Sequence, residues 1–211
     1  MQKLYIQLKG RTPLLMNNPK ETMGREEGVT EEGVKGRVRL PSPEEQARVR
    51  RYLLPDGNFY MPATAVRKCL LTASAGYTAK GETGRRTAVR PVLSGAVILS
   101  DEAFPLLDDK GQPISGDNYQ VDIQRVTIRA ARASVWRGRP RIWPWSVIAW
   151  FVFDPRRIAL DLVERIARDG GVYPGLLDYR PEKGGWFGTY DLVKVWTEEM
   201  EYATVEALAK L

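Results

Sequence analysis

Residues 145–153, Trp-Ser-Val-Ile-Ala-Trp-Phe-Val-Phe, form a nearly unbroken apolar run, and the chain turns polar at once in Asp154-Pro155. The run has strand length and is too short for a membrane helix, so it predicts a central strand covered on both faces. Asp154 then reads as a helix N-cap with Pro155 at the first helical position. Ile158, Leu162, Val163, Ile166 and Ala167 share one helical face until Gly170, which predicts the stop. A buried strand running into an amphipathic helix calls for sheet and helix in packed layers.

Other segments extend this α+β pattern. Residues 3–8 alternate, with Leu4, Ile6 and Leu8 on one strand face. Pro62 opens a helix whose stripe is Val66, Cys69, Leu70 and Ala73, and Cys69 belongs there as core. Residues 78–90 predict a basic loop, 92–99 a strand, 108–118 a surface turn and 186–196 a last strand. Trp145 and Trp150 read as structural, whereas Trp136 and Trp143, beside arginines, read as stacking candidates. The order strand, helix, strand, strand, helix, strand is that of a ferredoxin-like βαββαβ core in a single domain over 1–211. Three segments stand outside it: a long loop at 17–44, a basic hairpin at 119–144 and an acidic C-terminal arm at 197–211, read as a short helix or arm.

Composition narrows the chemistry. The chain has 211 residues, 32 Lys+Arg against 26 Asp+Glu, one cysteine and no histidine. Without histidine there is no Ser-His-Asp or Cys-His nucleophile and little basis for a zinc site. A lone Cys69 leaves no intrachain disulfide and suits a reducing compartment. The N-terminus lacks a signal-peptide apolar region, and no long uncharged apolar run occurs, so the expectation is a cytoplasmic protein with no membrane association. No cofactor is expected, since no Walker-type Gly-Lys-Ser/Thr sequence is present.

The formal net charge is +6, and the stretch 123–141 alone holds six arginines and no acidic residue. Val126, Ile128 and Ala130 alternate with Arg125, Thr127 and Arg129, which predicts one apolar and one cationic strand face. Residues 136–141, Trp-Arg-Gly-Arg-Pro-Arg, read as the return or tip of the hairpin. Arginine without lysine favours forked phosphate contacts, and Trp136 offers a flat face to a base. The candidate binding residues are Arg125, Arg129, Arg132, Trp136, Arg137, Arg139 and Arg141. To these the sequence adds Arg67 and Lys68 on the first helix, Arg85 and Arg86 (with Arg90) in the 78–90 loop, and Arg180 and Lys183 in the glycine-rich loop at 170–188. A simple solvated edge hairpin is the plain alternative.

Three stretches resemble the RAMP superfamily, to which the backbone subunits of CRISPR effector complexes belong. They are 58–70 (Asn-Phe-Tyr-Met-Pro-Ala-Thr-Ala-Val-Arg-Lys-Cys-Leu), the arginine-rich run at 121–133, and the loop at 170–188 ending Gly-Gly-Trp-Phe-Gly. That loop is also similar to uncharacterised phage and prophage proteins, through Leu177-Asp178-Tyr179-Arg180-Pro181. The resemblance implies an RNA-recognition-like core that polymerises along a single-stranded guide RNA, with a hairpin thumb on the strand and other effector-complex subunits as partners.

The resemblance also bears on catalysis. RNA-cutting members use a loop aspartate after the first strand, and 17–44 contains none, so binding without cleavage is expected. Three rivals remain open. One is a phage protein that coats or anneals single-stranded DNA. Another is an assembly protein docking on an acidic partner. The last is a magnesium-dependent nuclease using Glu26, Glu27, Glu31 and Glu32.

Overall fold

Strand β1, Gln2–Gly10, puts Leu4, Ile6 and Leu8 into the core, as the alternation requires. In this computed structural model, which describes residues 1–19, 41–80, 86–99, 103–128 and 133–200, β1 is central to the main sheet. One neighbour is β10, Ser146–Phe153, and the other is β11, Tyr190–Glu199, both antiparallel. The far edge of β10 pairs with β6, Val97–Leu99, and with β7, Ala103–Leu107; β7 in turn pairs with β3, Tyr60–Pro62. The strand order is therefore β11-β1-β10-β7-β3, with β6 beside β10.

Helix α2, Ala63–Ala73, and helix α4, Leu160–Val172, pack together on the face carrying Leu4, Ile6 and Leu8. Val66, Cys69 and Leu70 from α2 and Val163, Ile166 and Ala167 from α4 meet Val147, Ala149, Phe151 and Phe153 of β10 in one cluster. Each such large apolar side chain contributes about 1.5–3 kcal/mol on burial. The protein is thus a mixed α+β structure with four helices among the described residues and mainly antiparallel sheets.

A second sheet is built from β2, Leu14–Leu15, β9, Ala133–Ile142, and β8, Gln120–Ile128, with helix α1, Pro43–Val49, packed on it. Serine 42 caps α1 in a reciprocal box with Glu45. A short ribbon, β4 at Thr78–Lys80 with β5 at Arg86–Ala88, stands apart in pairing.

Several expectations need correction. Asp154 does not cap a helix: α4 begins at Leu160 with Ala159 at the cap, and Asp154 instead gathers Arg156 and Arg157 in a turn. These arginines, Arg156 foremost, hold its carboxyl down at about 2. Gly170 does not end α4, which continues through Gly171 to Val172. Both glycines are needed because Tyr190 crosses there, its hydroxyl and carbonyl oxygens 2.5 and 2.1 Å from where their Cβ atoms would stand.

Residues 92–99 are mainly helix: α3, Val89–Ala96, carries Pro91 in its first turn and buries Val89, Leu93 and Ala96 before β6. The last strand starts at Tyr190, not 186, and absorbs 197–199 from the expected arm. Most of 17–44 and all of 201–211 lie outside the described residues. The expected loop at 78–90 contains β4 and β5. No helix among the described residues is long and apolar enough to cross a membrane.

Candidate nucleic-acid interface

The register of the hairpin decides what its arginines can do. Arg125 lies opposite Trp136, Ile123 opposite Gly138, Asp122 opposite Arg139 and Gln120 opposite Arg141. Side chains of directly paired residues share a face, so Arg125 and Trp136 stand on one side while Arg137, Arg139 and Arg141 stand on the other with Asp122 and Gln124. The single cationic face expected for 121–141 is therefore split. Residues 136–141 are not the tip either; they lie within β9, which pairs with β8 as far as Ile128 opposite Ala133. Arg129 and Arg132 lie outside the described residues, as does Arg85.

Two of the inward arginines, Arg139 and Arg141, are engaged within the protein. Arg139 is buried, and its Nε lies 2.7 Å from Asp178 Oδ2 of the loop after α4, a charge contact without hydrogen-bond alignment. Arg141 donates to Gln120 at 3.2 Å. Burial raises the Asp122 carboxyl above its ordinary range, while Arg139 and Arg141 act against that rise.

The outward set is accessible. Trp136 is 64% exposed, Ile123 is 47% exposed, and Arg125 is exposed. Gln46 of α1 accepts from the Gly138 amide at 3.2 Å and donates to the Trp136 carbonyl at 3.5 Å, and the Pro140 carbonyl accepts from the Met16 amide. These bonds run away from β8, so Trp136 and Arg125 form a non-hydrogen-bonded pair, whose Cα atoms approach to about 4.5 Å. Gly138 is where α1 presses closest: a Cβ there would lie 2.0 Å from the Pro43 carbonyl oxygen. The glycine admits the helix, and the helix closes an otherwise open strand edge.

The remaining candidates are scattered. Arg67 donates to the Val97 and Ser94 carbonyls at 3.0 and 2.8 Å and to the Ser94 hydroxyl, tying α2 to α3, so its fork is not presented to a strand. Arg180 is likewise engaged, by the Glu182 carboxylate and the Leu177 carbonyl. Lys68 is exposed and, with Asn17, Tyr52, Asp178, Arg180 and Glu182, lines an open cleft of about 340 Å³ between α2 and the loop after α4. The Tyr52 hydroxyl is pushed up to about 12, chiefly by burial. Lys183, Arg86 and Arg90 are exposed but outside that lining, and Arg86 sits on a separate ribbon. Trp143 is 52% exposed and Trp145 is buried. Glu26, Glu27, Glu31 and Glu32 lie outside the described residues.

Trp150, read from sequence as structural, is half-buried on the face of the main sheet opposite α2 and α4. In the apolar run, Ile148, Trp150 and Val152 alternate away from Val147, Ala149, Phe151 and Phe153. Tyr5 of β1 and Trp196 of β11 stand in the same cross-strand row as Trp150. The missed signal was the complement of the core stripe in 3–8: Lys3, Tyr5 and Gln7. No known protein family's model matches this chain, and no curated protein matches it.

Proposed function

We propose that this chain binds single-stranded nucleic acid, RNA foremost, without cleaving it, and that copies line up along the strand as backbone subunits of a CRISPR-type effector complex do. The observation that carries the reading is the pairing of an exposed Trp136 with an exposed Arg125 on the outward face of β8 and β9. A ring offers stacking to any base, and a guanidinium beside it takes the adjoining phosphate. The strand order supports a ferredoxin-like core: β11, β1, β10 and β6 with β7 stand as fourth, first, third and second core strands, with α2 and α4 as the two crossovers.

The test is fluorescence anisotropy of a labelled single-stranded RNA and its DNA counterpart across a salt series, with light scattering on the same samples. Trp136→Ala should weaken binding about 5- to 100-fold. Arg125→Ala should flatten the salt slope by about 0.7. Growing mass on binding supports the filament, and preference for DNA would move the reading to a phage strand-coating protein. Absence of binding to both strands would overturn it in favour of a protein partner for this face.

A further inference from the structure

We infer that the face of the main sheet turned away from α2 and α4 is a second single-stranded nucleic-acid platform, on which bases stack across Trp196, Tyr5 and Trp150. The inference rests on the nucleic-acid reading above but on different residues, different strands and a different sheet.

The three rings sit in register. Tyr5 is directly opposite Trp150 on β10 and directly opposite Trp196 on β11, so one row crosses three adjacent strands over about 10 Å. Tyr5 and Trp196 are parallel, with centroids 5.0 Å apart and planes within 7°. All three rings are half-buried, and Tyr5 and Trp196 stack on each other, so the area left to a base is on Trp150 and the outer face of Trp196. Aromatic side chains grouped on an antiparallel sheet are a surface on which two or three unpaired bases stack.

Charge selects the occupant. Lys3 Nζ lies 5.4 Å from the Trp150 ring centroid, and Lys194 Nζ lies 5.1 Å from that of Trp196. Lys3 is one residue row from the aromatic row on β1, between Val152 on β10 and Glu198 on β11, and Lys194 is on the other side, opposite Gln7. The rings thus lie between two ammonium groups, the arrangement a strand needs when its bases stack inward and its phosphates run along the edges. A lysine over an exposed ring contributes less than a stacked base, so a base displaces it and the freed ammonium turns to a phosphate.

Glu198 supplies the positioning. Its carboxylate accepts from the Trp196 indole N–H at 3.3 Å, fixing that ring from the β11 end. One carboxylate against two lysines leaves the platform cationic. Ile148 and Ile98, 38% and 44% exposed, extend the same face with apolar surface beside β10. A purely apolar partner would leave both lysines to be desolvated without an anion, which is costly. A polyanion with flat apolar bases satisfies both features at once.

The experiment uses the full chain and a labelled ~30-nucleotide RNA and DNA. Zero-distance ultraviolet crosslinking with peptide mapping should place adducts on Tyr5, Trp150 or Trp196 as well as on Trp136. Trp196→Ala should weaken binding about 5- to 100-fold. Lys3→Gln with Lys194→Gln, which leaves the rings and the core stripe intact, should lower the salt slope by about 1.4. Circular dichroism of each variant separates a lost contact from a lost fold. Crosslinks confined to the hairpin, with wild-type binding by the lysine double variant, would overturn this inference and leave the hairpin reading standing. The reverse pattern would support the platform and overturn the hairpin. A wild-type chain that binds neither strand would overturn both.

Discussion

Arg139 of β9 and Asp178 of the loop after α4 meet at 2.7 Å with the arginine buried. The contact fastens the hairpin to the main body at a point close to the cleft that Asp178 also lines. It explains why Arg139 is unavailable to a ligand. A guanidinium placed at that register by strand parity must be neutralised, and Asp178 and Asp122 are the carboxylates within reach. The other parity is left for binding.

The two partners should respond unequally to removal. The Arg139 side chain is 7% exposed and that of Asp178 is 28% exposed. Asp178→Ala strands a buried cation and should cost about 3 kcal/mol, the low end for breaking a buried pair. Arg139→Met leaves a carboxylate that reaches water and keeps much of the arginine's apolar stem, so it should cost clearly less. Urea unfolding of both variants checks the order, and equal losses would mean that the pair acts only through packing.

Gly138 offers a way to loosen the hairpin from its helix without touching charge. Gly138→Ala would force the Pro43 carbonyl away, and the resulting overpacking should cost about 1–3 kcal/mol. The same shift should break the bonds from Gln46 to the Gly138 amide and Trp136 carbonyl and expose that strand edge. Hydrogen exchange at residues 136–140 should rise well above wild type while exchange in β1 stays slow. Uniform acceleration across both sheets would show that the helix contact is not local.

The core was legible because period-two and period-3.6 stripes write burial directly. Leu4, Ile6 and Leu8 and the Val66–Cys69–Leu70 stripe reached the interior, whereas the 145–153 run, expected to be covered on both faces, buries Val147, Ala149, Phe151 and Phe153 but leaves Ile148 exposed and Trp150 half-buried on an uncovered face. Boundaries failed where tertiary contacts overrode local signals: Asp154 found arginines before it found a helix, and Gly170 was required by Tyr190 instead of by a helix end. The site was half legible. Trp136 and Arg125 stood out by composition, but the division of arginines between faces depends on which β8 residue meets which β9 residue, and one residue of slip reverses it. The Trp196, Tyr5 and Trp150 row was invisible for the same reason, since its members come from three strands distant in sequence.

Cys69 links the helix layer to alkaline stability. Its thiol donates to the Gly170 carbonyl at 3.3 Å and touches the Tyr190 hydroxyl at 3.4 Å, and that hydroxyl donates to the Ala167 carbonyl. Burial pushes the thiol from 9.0 up to about 11, and burial together with Cys69 raises Tyr190. A raised value in the folded state means that the native chain keeps a proton the unfolded chain releases. The associated stability is fully present below about pH 9 and is lost as the pH climbs to about 11. Two units for one thiol correspond to about 2–3 kcal/mol. The urea midpoint should therefore fall between pH 9 and 10.5, and Cys69→Ala should show a shallower fall from a lower neutral-pH midpoint, with Tyr190 supplying the remainder. A thiol reagent at pH 8 should label the wild-type protein only at the rate of opening and label it at once in urea. Parallel pH profiles for wild type and Cys69→Ala would remove the thiol as the cause.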